Sequence, residues 1–339
     1  MAKKKTKPNQ VQNPHDSLFQ ANWGVLENAR RFLETYLPEV VLRHVDLSTL
    51  TISKDSFIDP DLKAFHSDIL YQVDLSGTPG FVYVLFEHKS FHVRHIHLQL
   101  LSYMLKIWQH FMDQQPSSKR SGKQLPIIIP LLIYHGQHPW PKDTVRFSSL
   151  LAGPVQDMSE YIPDFSFKLY DLGQISDDQI QGSVMNQVVM LLFKYIFQKN
   201  LHDHLPDIFH LMTTLMKQDS GMQFLETILR YLFSTRNDIE VENLEKIVRQ
   251  ALSEKEGEYV MTLAEKLRLE GAERGRIEGK IEAIELGMVL KFPEQANTVM
   301  ADVKKIKDLA VLDKIKDAIK TAQNASEIVT LIRTGLKKT

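Results

Sequence analysis

The stretch SDILYQVDLSGTPGFVYVLFEHK, from Ser67 to Lys89, decides how this chain is read. In its first part Ile69, Tyr71, Val73 and Leu75 are apolar, while Asp68, Leu70, Gln72 and Asp74 occupy the other parity. A period of two predicts a strand with one buried face and Asp68 on the opposite face. Ser76-Gly77-Thr78-Pro79-Gly80 is rich in residues that accept turn dihedrals. Phe81 to Phe86 is a continuous aromatic and β-branched run, the pattern of a central strand covered on both faces. Together they predict a β-hairpin. A turn centred near Gly77–Thr78 sets Asp68 opposite roughly Glu87. Lys89 follows two positions later and points to the same face, because strand side chains alternate. His88 faces away, leaving only its backbone carbonyl as a ligand for that site.

Two carboxylates and an ammonium on one face suit phosphodiester hydrolysis. A bound cation neutralises charge on the phosphorane and supplies hydroxide at neutral pH. Mg²⁺, with Mn²⁺ as the alternative, wants a few carboxylates and keeps several waters, so Asp68 and Glu87 suffice as metal ligands. Lys89 then orients the water or offsets the pentavalent charge. A second reading stays open here. A D-x(n)-E-x-K pattern arises by chance in many sequences, and a structural Glu87–Lys89 or Asp68–Lys89 salt bridge accounts for the same residues.

Outward from the hairpin, Val25 to Leu37 has the spacing of an amphipathic helix ended at Pro38, and a short strand is expected around Asp46. Leu98 to Phe111 is helical in period, and Gln114 to Gln124 is a polar loop. Ile127 to Tyr134 is another buried strand, where Pro130 suggests a bulge or a sheet edge. Twelve of the fourteen prolines lie at or before Pro163, so the first half is loop-punctuated α/β and the second nearly pure helix. Helices are expected over Val184–Gln198, Asp207–Lys217, Met222–Phe233, Val241–Leu252 and Glu258 to about Leu290, then two short ones between Ala301 and Leu336. Gly271, Gly275 and Gly279 recur every fourth residue among charges, on a solvated connector or an oligomerisation face.

Composition narrows the classes. The apolar fraction is 43% and the charged fraction 24%, as in globular proteins, which excludes disordered and collagen-like chains. A net charge of −1 gives no whole-molecule attraction to nucleic acid, so any affinity for DNA must be local. The absence of cysteine excludes disulfide scaffolds, cysteine zinc sites and cysteine nucleophiles, and is compatible with a cytoplasmic location. No apolar run reaches the roughly 18 residues that span a bilayer. Lys3, Lys4, Lys5 and Lys7 form a basic tail. No GxxxxGK[ST] loop appears, so no nucleotide cofactor is indicated.

Several phrases in series carry a resemblance: His15-Asp16 with Phe19, RRFLETYLP from Arg30, VDLSTL from Val45, SDILYQV from Ser67, VYVLFEHKS from Val82, LQLLSYMLKIW from Leu98 and IIIPLLIYHG from Ile127. Over roughly residues 14 to 290 the chain resembles the Rpn family of recombination-promoting nucleases, also labelled transposases, within the PD-(D/E)xK superfamily. The resemblance implies a restriction-endonuclease-like α/β core, a mixed central sheet flanked by helices, followed by an all-helical C-terminal region. It implies a Mg²⁺-dependent DNA endonuclease tied to recombination or mobile elements, with Asp68, Glu87 and Lys89 as the motif. Family members often carry Gln where Lys89 stands, and the lysine matches the broader superfamily.

Gln99 and Tyr103 resemble a QxxxY helix motif and share one helix face at i, i+4, to touch DNA or the metal's surroundings, or simply to cap the core. His88, His92, His95 and His97, with Arg94, are expected to form a polar, partly cationic rim near phosphate. Asp16 is expected to cap the first helix, and His135 and His138 to hold a loop. The domain reading is a basic tail over 1–13, the nuclease core over 14–175, a helical region over 176–290 and C-terminal helices over 291–339. The alternatives are a catalytically silent nuclease-like DNA-binding or interaction protein, and an RNA-cleaving relative. A homodimer through the helical half is expected, since double-strand cutting needs two sites.

Overall fold

Strand β2 (Asp68–Leu75) turns into β3 (Thr78–Glu87) through only two residues. Ser76 at φ 52° and Gly77 at φ 86° make the primed turn that matches the strands' own twist, and the Gly77 N–H donates to Asp74 Oδ1 at 2.6 Å. Thr78, Pro79 and Gly80, read as turn from the sequence, belong to β3. In a two-residue hairpin Leu75 and Thr78 form the hydrogen-bonded pair, so Pro79, opposite Asp74, gives up no bond to β2. The shorter turn moves the register. Asp68 lies opposite Leu85 rather than Glu87.

The computed structural model describes residues 13–53, 68–87, 95–116, 123–141 and 144–336. The order is α1 (Pro14–Trp23), α2 (Leu26–Tyr36), α3 (Glu39–Leu42), β1 (Val45–Ile52), then the hairpin, α4 (Ile96–Asp113), β4 (Ile128–Tyr134) and β5 (Lys168–Asp171). The sheet order is β1-β2-β3-β4-β5. The first three strands are antiparallel neighbours, and β3, β4 and β5 run parallel. This is the mixed sheet with flanking helices expected of an α/β chain.

Both faces of the hairpin are covered, not one. Leu70, Tyr83 and Leu85 pack with Ile96, Leu100, Tyr103 and Ile107 of α4 and with Trp140 and Phe167. On the other face Phe86 stacks on Phe19 of α1 at 4.9 Å, and the Tyr71 hydroxyl donates to the Trp23 carbonyl at 2.6 Å. Asn22, Asn28 and Asn186 knit three helices on that side. Asn22 Nδ2 donates to Asn186 Oδ1 and Asn186 Nδ2 to the Asn28 carbonyl, both at 2.9 Å. β4 is flanked on both sides and unbulged, with Pro130 in register opposite Tyr83. Its missing N–H is tolerated because the ladder to β5 begins one residue later, at Leu131↔Lys168.

After the sheet come α5 (Val184–Tyr195), α6 (Leu201–Leu211), α7 (Gly221–Thr235), α8 (Val241–Ala251) and α9 (Glu254–Lys291). α6 starts ahead of Pro206, not after it as the proline suggested, and carries it inside the helix. Two compact units divide between Val260 and Met261. The second has its own core, in which Ile284, Met288, Val303, Leu312, Ile315 and Ile328 pack together. It includes α10 (Pro293–Val303), α11 (Leu309–Thr321) and α12 (Ala325–Leu336), one helix more than the sequence suggested beyond α9. A Cβ on Gly271, Gly275 or Gly279 would meet nothing within 4 Å.

Candidate active site

Asp68 opens β2 and Glu87 closes β3. Side chains alternate along a strand, so Asp68, its partner Leu85 and Glu87 share one face, the one covered by α4. The acids are diagonal neighbours. Diagonal Cα atoms lie about 7–8 Å apart, within reach of a Glu side chain. Gln20 of α1 pins this end of the hairpin, its amide donating to the Asp68 carbonyl at 3.0 Å. Glu87 is 5% exposed, and its carbonyl accepts the His135 N–H at 3.2 Å.

Tyr83 reaches the acid from two residues before Leu85. Its hydroxyl donates to Asp68 Oδ2 at 2.7 Å. Burial, followed by the adjacent Asp68 charge, holds the Tyr83 phenol well above its ordinary pKa, so it stays a donor. The Tyr103 ring lies 5.1 Å from that of Tyr83. Burial and then the Asp68 charge push Tyr103 up to about 12. Gln99, one turn earlier on α4, lies beside it, yet the buried Tyr103 hydroxyl has no hydrogen bond of ordinary geometry among the described residues. Asp68 and the Gln99–Tyr103 pair, singled out independently in the sequence, therefore come together around Tyr103. Tyr83 was missed. Its signal is the hairpin register, which places it diagonally from Asp68.

Lys89, His88, His92 and Arg94 lie outside the described residues, as does the basic tail. His97 does not belong to a polar rim: it is 1% exposed, with its ring 5.1 Å from Phe167. His135 is likewise a core residue, stacked on Phe86 at 4.7 Å. Asp16 is not the helix cap. Asn13 is, accepting the His15 N–H at 3.0 Å, and Asp16 is buried in the first turn. The sequence reading also missed β5, which places Asp171 next to Tyr134 as Tyr134 is next to Glu87. Burial raises the Asp171 pKa against the N–H groups of Trp140 and Gly173 that its carboxylate accepts.

The residues present suit a hard divalent cation. Among the described residues no group of three or more acids and histidines converges. Mg²⁺ does not require one, because it binds through one or two carboxylates and keeps its waters. Asp68 Oδ2 is engaged by Tyr83, and the Tyr103 hydroxyl offers a buried donor beside it for a water or phosphate oxygen. Among the described residues no helix is long and apolar enough to cross a membrane.

Comparison with known proteins agrees with the resemblance seen in the sequence phrases. The chain is similar to the recombination-promoting nuclease RpnA of Escherichia coli (strain K12), 30% identical over 77% of this chain and 86% of the relative. RpnD of Escherichia coli O157:H7, of the same designation, is 29% identical over 75% of this chain and 94% of its own. A third relative from strain K12, RpnE, named an inactive recombination-promoting nuclease-like protein, is 29% identical over 84% of this chain and 90% of its own. No solved structure matches. The family described as "Putative transposase, YhgA-like" matches residues 13–255, most of the chain, and the protein belongs to that family.

Proposed function

We propose that this chain is a divalent-metal-dependent DNA endonuclease with a PD-(D/E)xK core, acting in recombination or mobile-element biology within the cytoplasm. The observation that carries the reading is the acidic pair. Asp68 and Glu87 share the α4-covered face of the β2–β3 hairpin, one diagonal step apart, in a chain whose relatives are named recombination-promoting nucleases. Asp68 and Glu87 would hold Mg²⁺ or Mn²⁺, which would supply charge neutralisation at the scissile phosphate and an acidified water.

The chain's own residues do the remaining work. Tyr83 fixes one oxygen of Asp68 by hydrogen bond. Tyr103 and Gln99 present a phenol and an amide on the same side, and would donate to a phosphate oxygen. Lys89, the third residue of the motif, would orient the attacking water and offset charge on the pentavalent phosphorus. Hydrolysis is preferred to strand transfer because the sequence pattern shows no second set of catalytic acids beside Asp68 and Glu87. Two copies joined through the helical half would give the two sites that double-strand cutting needs.

The test is incubation of purified protein with supercoiled plasmid and Mg²⁺ or Mn²⁺, beside Asp68→Ala and an RNA substrate. Wild type should nick DNA and the variant should not. Equal nicking by both, or none by either, defeats the catalytic assignment. The second outcome favours the silent reading, for which RpnE's designation as inactive is the precedent. Cleavage of RNA alone transfers the assignment to the other nucleic acid.

A further inference from the structure

Beyond the C-terminal ends of β4 and β5 lies a cleft of about 390 Å³, a size usual for small-ligand sites. In open α/β sheets that edge is where ligands bind. Its place beside the acidic pair follows from the ladders. Glu87 pairs with Tyr134 and Tyr134 with Asp171, so the three strand ends form a row. His135 bonds to the Glu87 backbone, and the cleft wall begins at the next residue, Gly136. The Tyr134 hydroxyl donates to the His138 carbonyl in that wall at 2.8 Å. The cleft thus lies at the ends of the two strands that follow β3 in the sheet, and its helical wall, through Phe197, continues from the helix whose Phe193 packs on Phe86.

Its lining is chemically selective. Phe197 is 37% exposed; His135 stacks against its ring at 5.3 Å, and the ring also lines the cleft. Gln137, His138 and Gln174 are exposed on the wall, and their side chains make no hydrogen bond among the described residues. Gln198 is half-buried, its amide donating to the Lys194 carbonyl. Each Gln amide offers donors and an acceptor. The Lys194 ammonium is already engaged, by the Ile175 carbonyl and Asp177 Oδ1, both at 2.6 Å. Asp171 adds a carboxylate. Such a wall is poorly suited to a phosphate. It suits a flat neutral heterocycle with a π face and an edge of mixed donors and acceptors. Aromatic stacking with edge hydrogen bonds is how proteins hold unstacked bases.

We infer that this cleft receives an unpaired nucleobase of the DNA strand next to the phosphate held at Asp68 and Glu87, stacked on Phe197 and read by Gln137 and Gln174. The placement of the strand rests on the nuclease reading; the binding of a base does not require cleavage.

The experiment measures affinity of the full chain, in EDTA, for a fluorescein-labelled single-stranded oligodeoxynucleotide by anisotropy. A second probe carries abasic sites in place of bases, and a third is the RNA equivalent. Phe197→Ala should bind about 10-fold more weakly, within the range for loss of one base–aromatic stack, and the double variant Gln137→Ala/Gln174→Ala about 10-fold more weakly through loss of two edge hydrogen bonds. Wild type should bind the abasic probe as weakly. The double variant changes only exposed side chains, so its unchanged melting temperature separates lost contact from misfolding. Wild-type affinity in both variants, or equal affinity for the abasic and normal probes, overturns the inference. Preference for RNA overturns its DNA assignment. Base-dependent binding without any plasmid nicking defeats the nuclease reading and leaves the cleft standing. Nicking with base-independent binding does the reverse.

Discussion

Tyr83→Phe removes one oxygen from the candidate site and little else. The Tyr83 hydroxyl donates to Asp68 Oδ2 at 2.7 Å from a ring only 3% exposed, and phenylalanine preserves the packing against Tyr103 at 5.1 Å. A hydrogen bond to a charged acceptor contributes about 1.5–3 kcal/mol. At 1.36 kcal/mol per decade this corresponds to roughly 10- to 150-fold. An independent comparison agrees: losing a group that orients a metal-ligating side chain typically lowers metal affinity or activity about 10–100-fold. Asp68 is half-buried, so water replaces part of the lost bond and global stability should fall by only ~1 kcal/mol. The expected phenotype is a split. The Mg²⁺ concentration giving half-maximal plasmid nicking rises about 10–100-fold, while nicking at saturating Mg²⁺ stays within a few-fold of wild type. A Mg²⁺ titration of supercoiled plasmid, with a thermal melt alongside, reads both quantities. A titration curve superimposable on wild type would refute the claim that Tyr83 orients Asp68. So would activity lost at every Mg²⁺ concentration from a chain that still melts normally, because that is not a positioning defect.

Asn186→Ala should destabilise the chain by about 1–3 kcal/mol in urea unfolding, since it strands the Asn22 side-chain amide inside the core; a loss under ~0.5 kcal/mol would contradict this. Alkaline pH should erode stability through Tyr103. Its folded pKa of about 12 lies above the ordinary 10, so its contribution is complete below pH 10 and is lost as pH climbs towards 12. Tyr103→Phe should make the stability slope in that window shallower by up to one proton, and an unchanged slope would count against the burial of this phenol. Gly275→Ala, with nothing near its added methyl, should stabilise helix α9 by about 1 kcal/mol in thermal denaturation followed by circular dichroism; a loss instead would reveal a contact on that face.

Much of the fold was legible because the strongest patterns are local. The parity of Ile69, Tyr71, Val73 and Leu75 specified β2, and the spacing from Leu98 to Phe111 specified α4. The errors have distinct physical origins. Pro79 and Pro130 read as breakers, yet a proline costs a strand nothing where its missing N–H faces an unpaired side, and that is a property of the neighbouring strand. Leu70 looked like a minority residue on a polar face, until α4 covered that face. β5 has only four residues and joins the sheet by parallel pairing to β4 after a long connection, so no local period announces it.

The candidate site was legible for a reason that also marks its limit. Placing the turn centre one residue late moved the partner of Asp68 by two, from Leu85 to Glu87. A shift of two residues leaves parity untouched, so the two acids stay on one face. What the miscount changed is separation: diagonal rather than directly opposite. Diagonal carboxylates meet only through a shared cation or through groups that lean them together, which makes the Tyr83 bond part of the geometry of the site rather than an ornament of the core. The row Glu87, Tyr134, Asp171 lay beyond any reading of the hairpin, because it exists only once three parallel strands end together. A hydrolytic site needs the reacting phosphate placed as well as charged. In the proposed reading the acidic pair would supply the charge chemistry, and the strand ends of β4 and β5 a surface for the rest of a nucleic acid.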